Sequence, residues 1–292
     1  MYLGEVLVKY YTISVTEQEL EQLHRVYQYH VVKDDNPYLL FHASHNSIDI
    51  LAYKTGKVLL QGKEITHELI SIKKHLGRED YAAIGSDEVG TGDVFGPIVV
   101  CSAYVDVQDI AYLESLNVRD SKNMNDKTIA QIAPKIAKRV THSLLILPPK
   151  KYNELATKGY NLNKIKALLH NQALIKTTSK VDHQVPVIVD QFCTPQLYFN
   201  YIKEETLIYR DIEFHTKAEQ VHLSVAAASI IARYAFLVKM NEYSEKIGVP
   251  LLKGASKEVD EQIKKVVELK GQPALTYIAK LNYKNVTKQN FS

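Results

Sequence analysis

The chain has 292 residues, room for one large domain with a smaller one, or for two of medium size. Charged residues are 24% and hydrophobic ones 46%, ordinary values that argue against disorder. The net charge of +3 is too small to argue a nucleic-acid partner by itself, and two isolated cysteines, Cys101 and Cys193, speak against a disulfide framework or structural zinc.

The N-terminus lacks the basic start and apolar run of a signal peptide, and the longest apolar stretch, 225–238, is broken by Ser229, Arg233 and Tyr234. No membrane association is expected. Residues 5–13, rich in β-branched and aromatic side chains, predict a strand. Thr16 and Glu19 form a capping-box pattern ahead of Leu20, Leu23 and Val26 at helical spacing. Three more strands are predicted over 38–43, 47–53 and 57–61, the last two joined by a Lys54-Thr55-Gly56 turn, followed by a helix over 64–75. Polar residues 75–80 mark a linker, so the first domain is placed at 1–76 and the second at 81–292.

In the second part, strands are predicted over 81–86, 98–105, 143–147 and 185–189, and helices over 126–139, 161–178 and 221–247. Residues 256–269 and 273–281 look like further helices on the same domain. Strands mixed with long helices indicate an α/β domain.

Chemistry concentrates at residues 85–97. Asp87 and Glu88 follow a short apolar run and precede the turn Gly90-Thr91-Gly92, where backbone free of side chains lets a ligand approach. Adjacent carboxylates at a strand end suit divalent cations acting on a phosphate. Neighbours on a straight strand face opposite ways, so both acids reach one cluster only if the strand ends or twists there. The spacing Gly90, Gly92, Gly96 misses the dinucleotide motif by one residue and leads into a strand, and no Walker A loop occurs. Asp190 ends the apolar run 185–189, where a carboxylate either caps a turn or meets a cation. Glu219 precedes a helix, where it either favours the helix dipole or serves a site. Eleven histidines show no metal or triad spacing, so none is assigned a catalytic role.

Four features, in this order, resemble the type 2 ribonucleases H, and among them bacterial ribonuclease HIII. Asp87-Glu88-Val89-Gly90-Thr91-Gly92 resembles the opening D-E-x-G-x-G motif, and Arg119-Asp120-Ser121-Lys122 the D-S-K element. Asp190 matches the third acid, at a strand end. Lys217-Ala218-Glu219, followed by the small-residue run 224–232, resembles the last acid and its helix. Residues 53–62 resemble a stretch of the N-terminal extension that ribonuclease HII lacks. The resemblance spans roughly 80–285 together with this front domain.

The resemblance implies a ribonuclease H-like α/β fold, a mixed five-stranded sheet flanked by helices, with Asp87 on the first strand and Asp190 on the neighbouring fourth. It also implies a small N-terminal α+β domain like half of the TATA-box-binding protein, helping to bind substrate. The implied activity is hydrolysis of the RNA strand of RNA–DNA hybrids, leaving 5′-phosphate and 3′-hydroxyl ends. Asp87, Glu88, Asp190 and Glu219 would be both catalytic residues and ligands of two Mg²⁺ or Mn²⁺ ions, about 4 Å apart in sites of this type. Without metal, four clustered acids are expected to raise one another's pKa. Gly90, Thr91, Gly92 and Lys122 would contact substrate, the G-x-G loop at the 2′-hydroxyl and Lys122 at a phosphate. Lys158, Lys164 and Lys166, near Tyr160 and His170, are further candidates along the hybrid's path, and Tyr53, Lys57 and Gln61 are candidates in the front domain. A cytoplasmic monomer without an obligate protein partner is expected. The alternative is a ribonuclease HII-like enzyme cutting at single embedded ribonucleotides.

Overall fold

The computed structural model describes residues 8–118 and 121–289, so residues 5–7 of the first predicted strand, and Arg119 and Asp120 of the D-S-K element, lie outside the described residues. The chain divides into two compact units, 1–82 and 83–292.

The first unit runs β1 (Lys9–Ser14), α1 (Glu17–Tyr27), β2 (Leu39–His45), β3 (Ile48–Tyr53), β4 (Lys57–Gly62) and α2 (Thr66–His75). The predicted capping box closes on α1: Thr16 accepts from the Glu19 amide while the Glu19 carboxylate accepts from Thr16 N–H. The strands form an antiparallel sheet in the order β1-β4-β3-β2. Strand alternation sends Ile13, Phe41, Ile50, Val58 and Leu60 into the core. Both helices cover that face: His24 of α1 stacks on Phe41, Lys73 of α2 lies over the Tyr11 ring, and the Tyr27 hydroxyl donates to Glu68 between them. Among the described residues, the opposite face carries no helix of this unit.

The second unit contains β5 (Ala83–Val89), β6 (Ile98–Val105), α3 (Val107–Ser115), α4 (Asp126–Arg139), β7 (Thr141–Leu147), α5 (Pro149–Thr157), α6 (Leu162–Thr178), β8 (Val187–Asp190), α7 (Pro195–Tyr201), β9 (Glu213–His215), α8 (Ala218–Val221), α9 (Leu223–Ile247), α10 (Lys257–Lys270), α11 (Leu275–Ile278) and α12 (Lys284–Thr287). Its five-stranded sheet has the order β7-β6-β5-β8-β9; β5, β8 and β9 are parallel, whereas β6 runs antiparallel to both β5 and β7. The mixed sheet flanked by helices is the fold expected from the sequence. Helix α9 is long and apolar enough to cross a membrane by length and composition, but most of its apolar window is buried as the central core helix.

Helix α9 lies directly on β5. A β-carbon on Gly85 would stand 2.2 Å from the Val225 nitrogen, so only glycine permits this approach. Residues 85 and 87 therefore face α9, whereas Ser86 and Glu88 face α6, where His170 meets Ser86.

Candidate active site

The strand does not end before the acidic pair. β5 continues through both residues, with Asp87 opposite Cys101 and Glu88 opposite Val100 on β6. Alternation thus sends the two carboxylates to opposite faces, which corrects the expectation of a strand end at this point. The antiparallel ladder to β6 runs on to Val89, and the turn begins only at Gly90.

Three acids gather on the α9 side. The parallel register pairs Ser86 with Val189, and its continuation sets Asp190 beside Asp87. The Ala218 amide donates to Asp190 Oδ1 (2.9 Å), tying the start of α8 to the end of β8 and bringing the next residue, Glu219, to the group. Glu219 is 3% exposed and forms an ion pair with Lys122, whose pKa is raised first by that hydrogen bond and further by the charges of Asp190 and Asp87. The Lys122 ammonium is therefore paired with Glu219 and within electrostatic reach of Asp190 and Asp87. Burial, then the charge of Glu88 and that of Asp190, push the Asp87 carboxyl up to about 8, against a hydrogen bond with Ser229. Burial and the charges of Glu219 and Glu88 also raise Asp190, against the Ala218 N–H bond.

Glu88 behaves differently. Lys166 Nζ donates to Glu88 Oε1 (2.7 Å), and His170 Nε2 lies 2.9 Å from Oε2, with the other ring nitrogen 2.8 Å from Ser86 Oγ. Burial works to raise the Glu88 carboxyl, but His170 and Lys166 outweigh it and hold it below the usual range. The expected rise of every acid is thus reversed at Glu88, because two buried basic side chains flank it. Lys166 is itself buried, so it supports a carboxylate rather than lining an open path. Lys164 stays with Tyr160, its ammonium 4.2 Å from the ring centre, and Lys158 is exposed. His170 and Ser229 were not read from the sequence as members of the site. The usable signal for the first was its spacing from Lys166, four residues and so one helical face.

Among the described residues, no three Asp, Glu, His or Cys side chains converge closely enough to hold a metal as they stand. The donor chemistry nevertheless fits hard divalent cations: three carboxylates on the α9 side, two of them with raised pKa, next to a lysine that can leave, since the Lys122 side chain is about half exposed, and a fourth, Glu88, on the other face of β5. Beyond the strand end, the tip Thr91–Gly92 is open, and a β-carbon on Gly92 would meet nothing within 4 Å. Its flanks are fixed: Gly90 and Gly96 adopt φ of +94° and +87°, packed on Pro97, Phe236 and Met240.

The sequence profile of the ribonuclease HII family matches residues 84–286, and a domain of unknown function, DUF3378, matches 11–70. A ribonuclease HIII from Phytoplasma mali (strain AT) is 47% identical over 284 residues, covering 97% of this chain and 99% of that protein. The chain belongs to the ribonuclease HIII family. A ribonuclease HIII from Bacillus pumilus is 40% identical and covers 94% of this chain and 97% of its own. Among solved structures, Bst-RNase HIII in complex with Mn²⁺ superposes with a TM-score of 0.70 at 38% identity, covering 96% of this chain and 97% of that one. These relatives match across both units, so the first unit is part of the family's ribonuclease HIII architecture. The chain is an endoribonuclease of the type 2 ribonuclease H class.

Proposed function

We propose that the protein hydrolyses the RNA strand of RNA–DNA hybrids with two divalent cations, Mg²⁺ or Mn²⁺, held by Asp87, Glu88, Asp190 and Glu219. The observation that carries this reading is the approach of Asp87, Asp190 and Glu219 from β5, β8 and α8 to one another, with the Lys122 ammonium paired to Glu219 and feeling the charges of the other two. The Mn²⁺ bound by the related Bst-RNase HIII supports the choice of metal. Bound there, such cations activate an attacking water and stabilise charge on the leaving 3′ oxygen.

The remaining work falls to the protein. Lys122 releases Glu219 and turns its ammonium to a substrate phosphate, exchanging one anion for another. Lys166 and His170 keep Glu88 ionised and aimed. Ser229 holds the Asp87 carboxyl. The backbone of Gly90, Thr91 and Gly92, open at its Gly92 tip, approaches the ribose 2′-hydroxyl, the group that separates RNA from DNA. The first domain, 1–76, adds substrate contacts through its open sheet face, and the enzyme works in the cytoplasm as a monomer without an obligate protein partner.

A uniformly labelled RNA–DNA hybrid, the matching RNA and DNA duplexes, and a DNA duplex with one embedded ribonucleotide are incubated with each metal. Cleavage of the hybrid alone, leaving 5′-phosphates, is expected. Asp190→Asn should lower the rate at least ~10²-fold while retaining hybrid binding. Efficient cutting at the single ribonucleotide would instead favour ribonuclease HII-like specificity, and an unaffected Asp190→Asn variant would remove Asp190 from the site.

A further inference from the structure

The turn bearing Thr91 and Gly92 is held by a segment 187 residues further along the chain. Lys280 is fully buried (0% exposed), and its ammonium forms no ion pair among the described residues. Its Nζ donates to the carbonyls of Asp93 and Gly96, at 2.8 Å each. Around this pair, Lys280 N–H donates to Val94 O (2.9 Å), and Gly96 N–H donates to Ile278 O (2.8 Å). The Tyr283 hydroxyl donates to the Thr91 carbonyl (2.6 Å). The segment is itself anchored on α5: Asn153 donates to Ala279 O (2.9 Å) and accepts from Leu281 N–H (2.9 Å).

An ammonium at this depth is costly, and burial pushes its pKa down to about 7. A methionine of similar length would fill the space without that cost. Stability gives a lysine little net advantage here, since its burial cost is set against two loop carbonyls that a methionine would leave unpaired, whereas geometry gives it a clear one. One charged donor with two loop carbonyls fixes the flank of the turn, and Tyr283 fixes its tip.

We propose that Lys280, assisted by Tyr283, is a positioning residue that sets the Thr91–Gly92 backbone at the height needed to grip the ribose of the scissile nucleotide. The inference rests on the reading of that turn as the ribose contact. The sequence offered Lys280 only as one of many lysines, in a helix predicted over 273–281.

The test is Lys280→Met in the full-length protein, read in two ways. Amide hydrogen exchange across residues 90–97, measured without substrate, should accelerate about tenfold or more. On the RNA–DNA hybrid, kcat should fall by up to ~10²-fold, as expected for misplacement of about 1 Å, with KM changing far less. The kcat loss should persist at temperatures well below the variant's melting temperature, which a merely structural lysine would not give. A folded variant with wild-type exchange in 90–97, or with wild-type kcat, overturns the proposal. Should Met not be tolerated, Tyr283→Phe carries the test without opening a buried space. Faster exchange at the tip and a kcat loss of ~3–10-fold are expected, and wild-type values for both overturn the proposal. Exchange needs no catalysis, so a failure of the functional reading shows separately, as wild-type protein that leaves the hybrid intact.

Discussion

Asp87 sits where two demands conflict, since a carboxylate suited to cations is a poor neighbour for Glu88 and Asp190 without them. Its pKa of about 8 stands well above the ordinary 3.8, so the fold holds that proton more tightly than the unfolded chain does. Stability must then fall as pH rises between those two values, because the native state binds more protons there. In chelator, the melting temperature is expected to drop from about pH 4 towards pH 8. Asp87→Asn should flatten that slope and melt higher than wild type at pH 8, while abolishing cleavage. Added Mg²⁺ or Mn²⁺ should recover the wild-type loss, since a ligand of the folded state stabilises it by mass action. A metal-free melting curve independent of pH would contradict this. Across the strand, Lys166 keeps Glu88 charged from the α6 face and lies 4.0 Å from the Phe192 ring centre. Lys166→Met removes a positive charge, so the Glu88 carboxyl should rise and the acid limb of kcat/KM should move to higher pH. Urea denaturation should show a loss of roughly 1–3 kcal/mol from the weakened buried pair.

At the scale of elements, the site depends on how closely α9 can approach β5. With a β-carbon 2.2 Å from the Val225 nitrogen and 2.3 Å from the Ser224 carbonyl carbon, Gly85→Ala meets backbone that cannot rotate away. We expect a loss of about 3 kcal/mol, at the upper end for overpacking, and a fall in cleavage as Asp87 moves with the strand. Chemical denaturation and rate measured together test this, and a variant as stable as wild type would mean that α9 slides freely. The same packing explains what could and could not be read beforehand. β6 and α4 occupy their predicted spans because each has one dominant period: a doubly buried apolar run in the first and an apolar stripe in the second. β9 escaped because three residues, Glu213-Phe214-His215, carry no period at all. Helices α3, α5 and α7, of nine residues or fewer, escaped because so short a segment shows little periodicity. The predicted helix over 221–247 begins instead as two, α8 and α9, with His222 in extended conformation between them. The acids Asp87, Asp190 and Glu219 were legible through motif order. That Glu88 faces α6 was not, because it required knowing that β5 runs on to Val89.

On the scale of the whole molecule, a cluster of acids repels the polyanion it must cut, so much of the binding energy has to come from other surfaces. The first unit offers one. On the sheet face that its helices leave bare, register aligns Thr12 with Leu59, Leu51 and His42, and sets Tyr10 beside Gln61 and Lys57 beside Tyr53. Tyr10 and Leu40 are exposed there, and Tyr53, Lys57 and Gln61 point the same way. Aromatic and amide groups with a lysine suit a sugar–phosphate surface better than the acidic site does. If this face binds substrate by charge and surface fit alone, its residues contribute equally to ground and transition states. Lys57→Ala should then raise KM for the hybrid and leave kcat unchanged. In addition, the slope of log affinity against log salt should become shallower by about one, because one phosphate is no longer neutralised. Tyr53→Ala or Gln61→Ala should raise KM without altering that slope, since neither side chain carries a charge to set against a phosphate. A Lys57→Ala enzyme with the wild-type KM and salt slope would exclude this face from the substrate path and leave binding to the second unit.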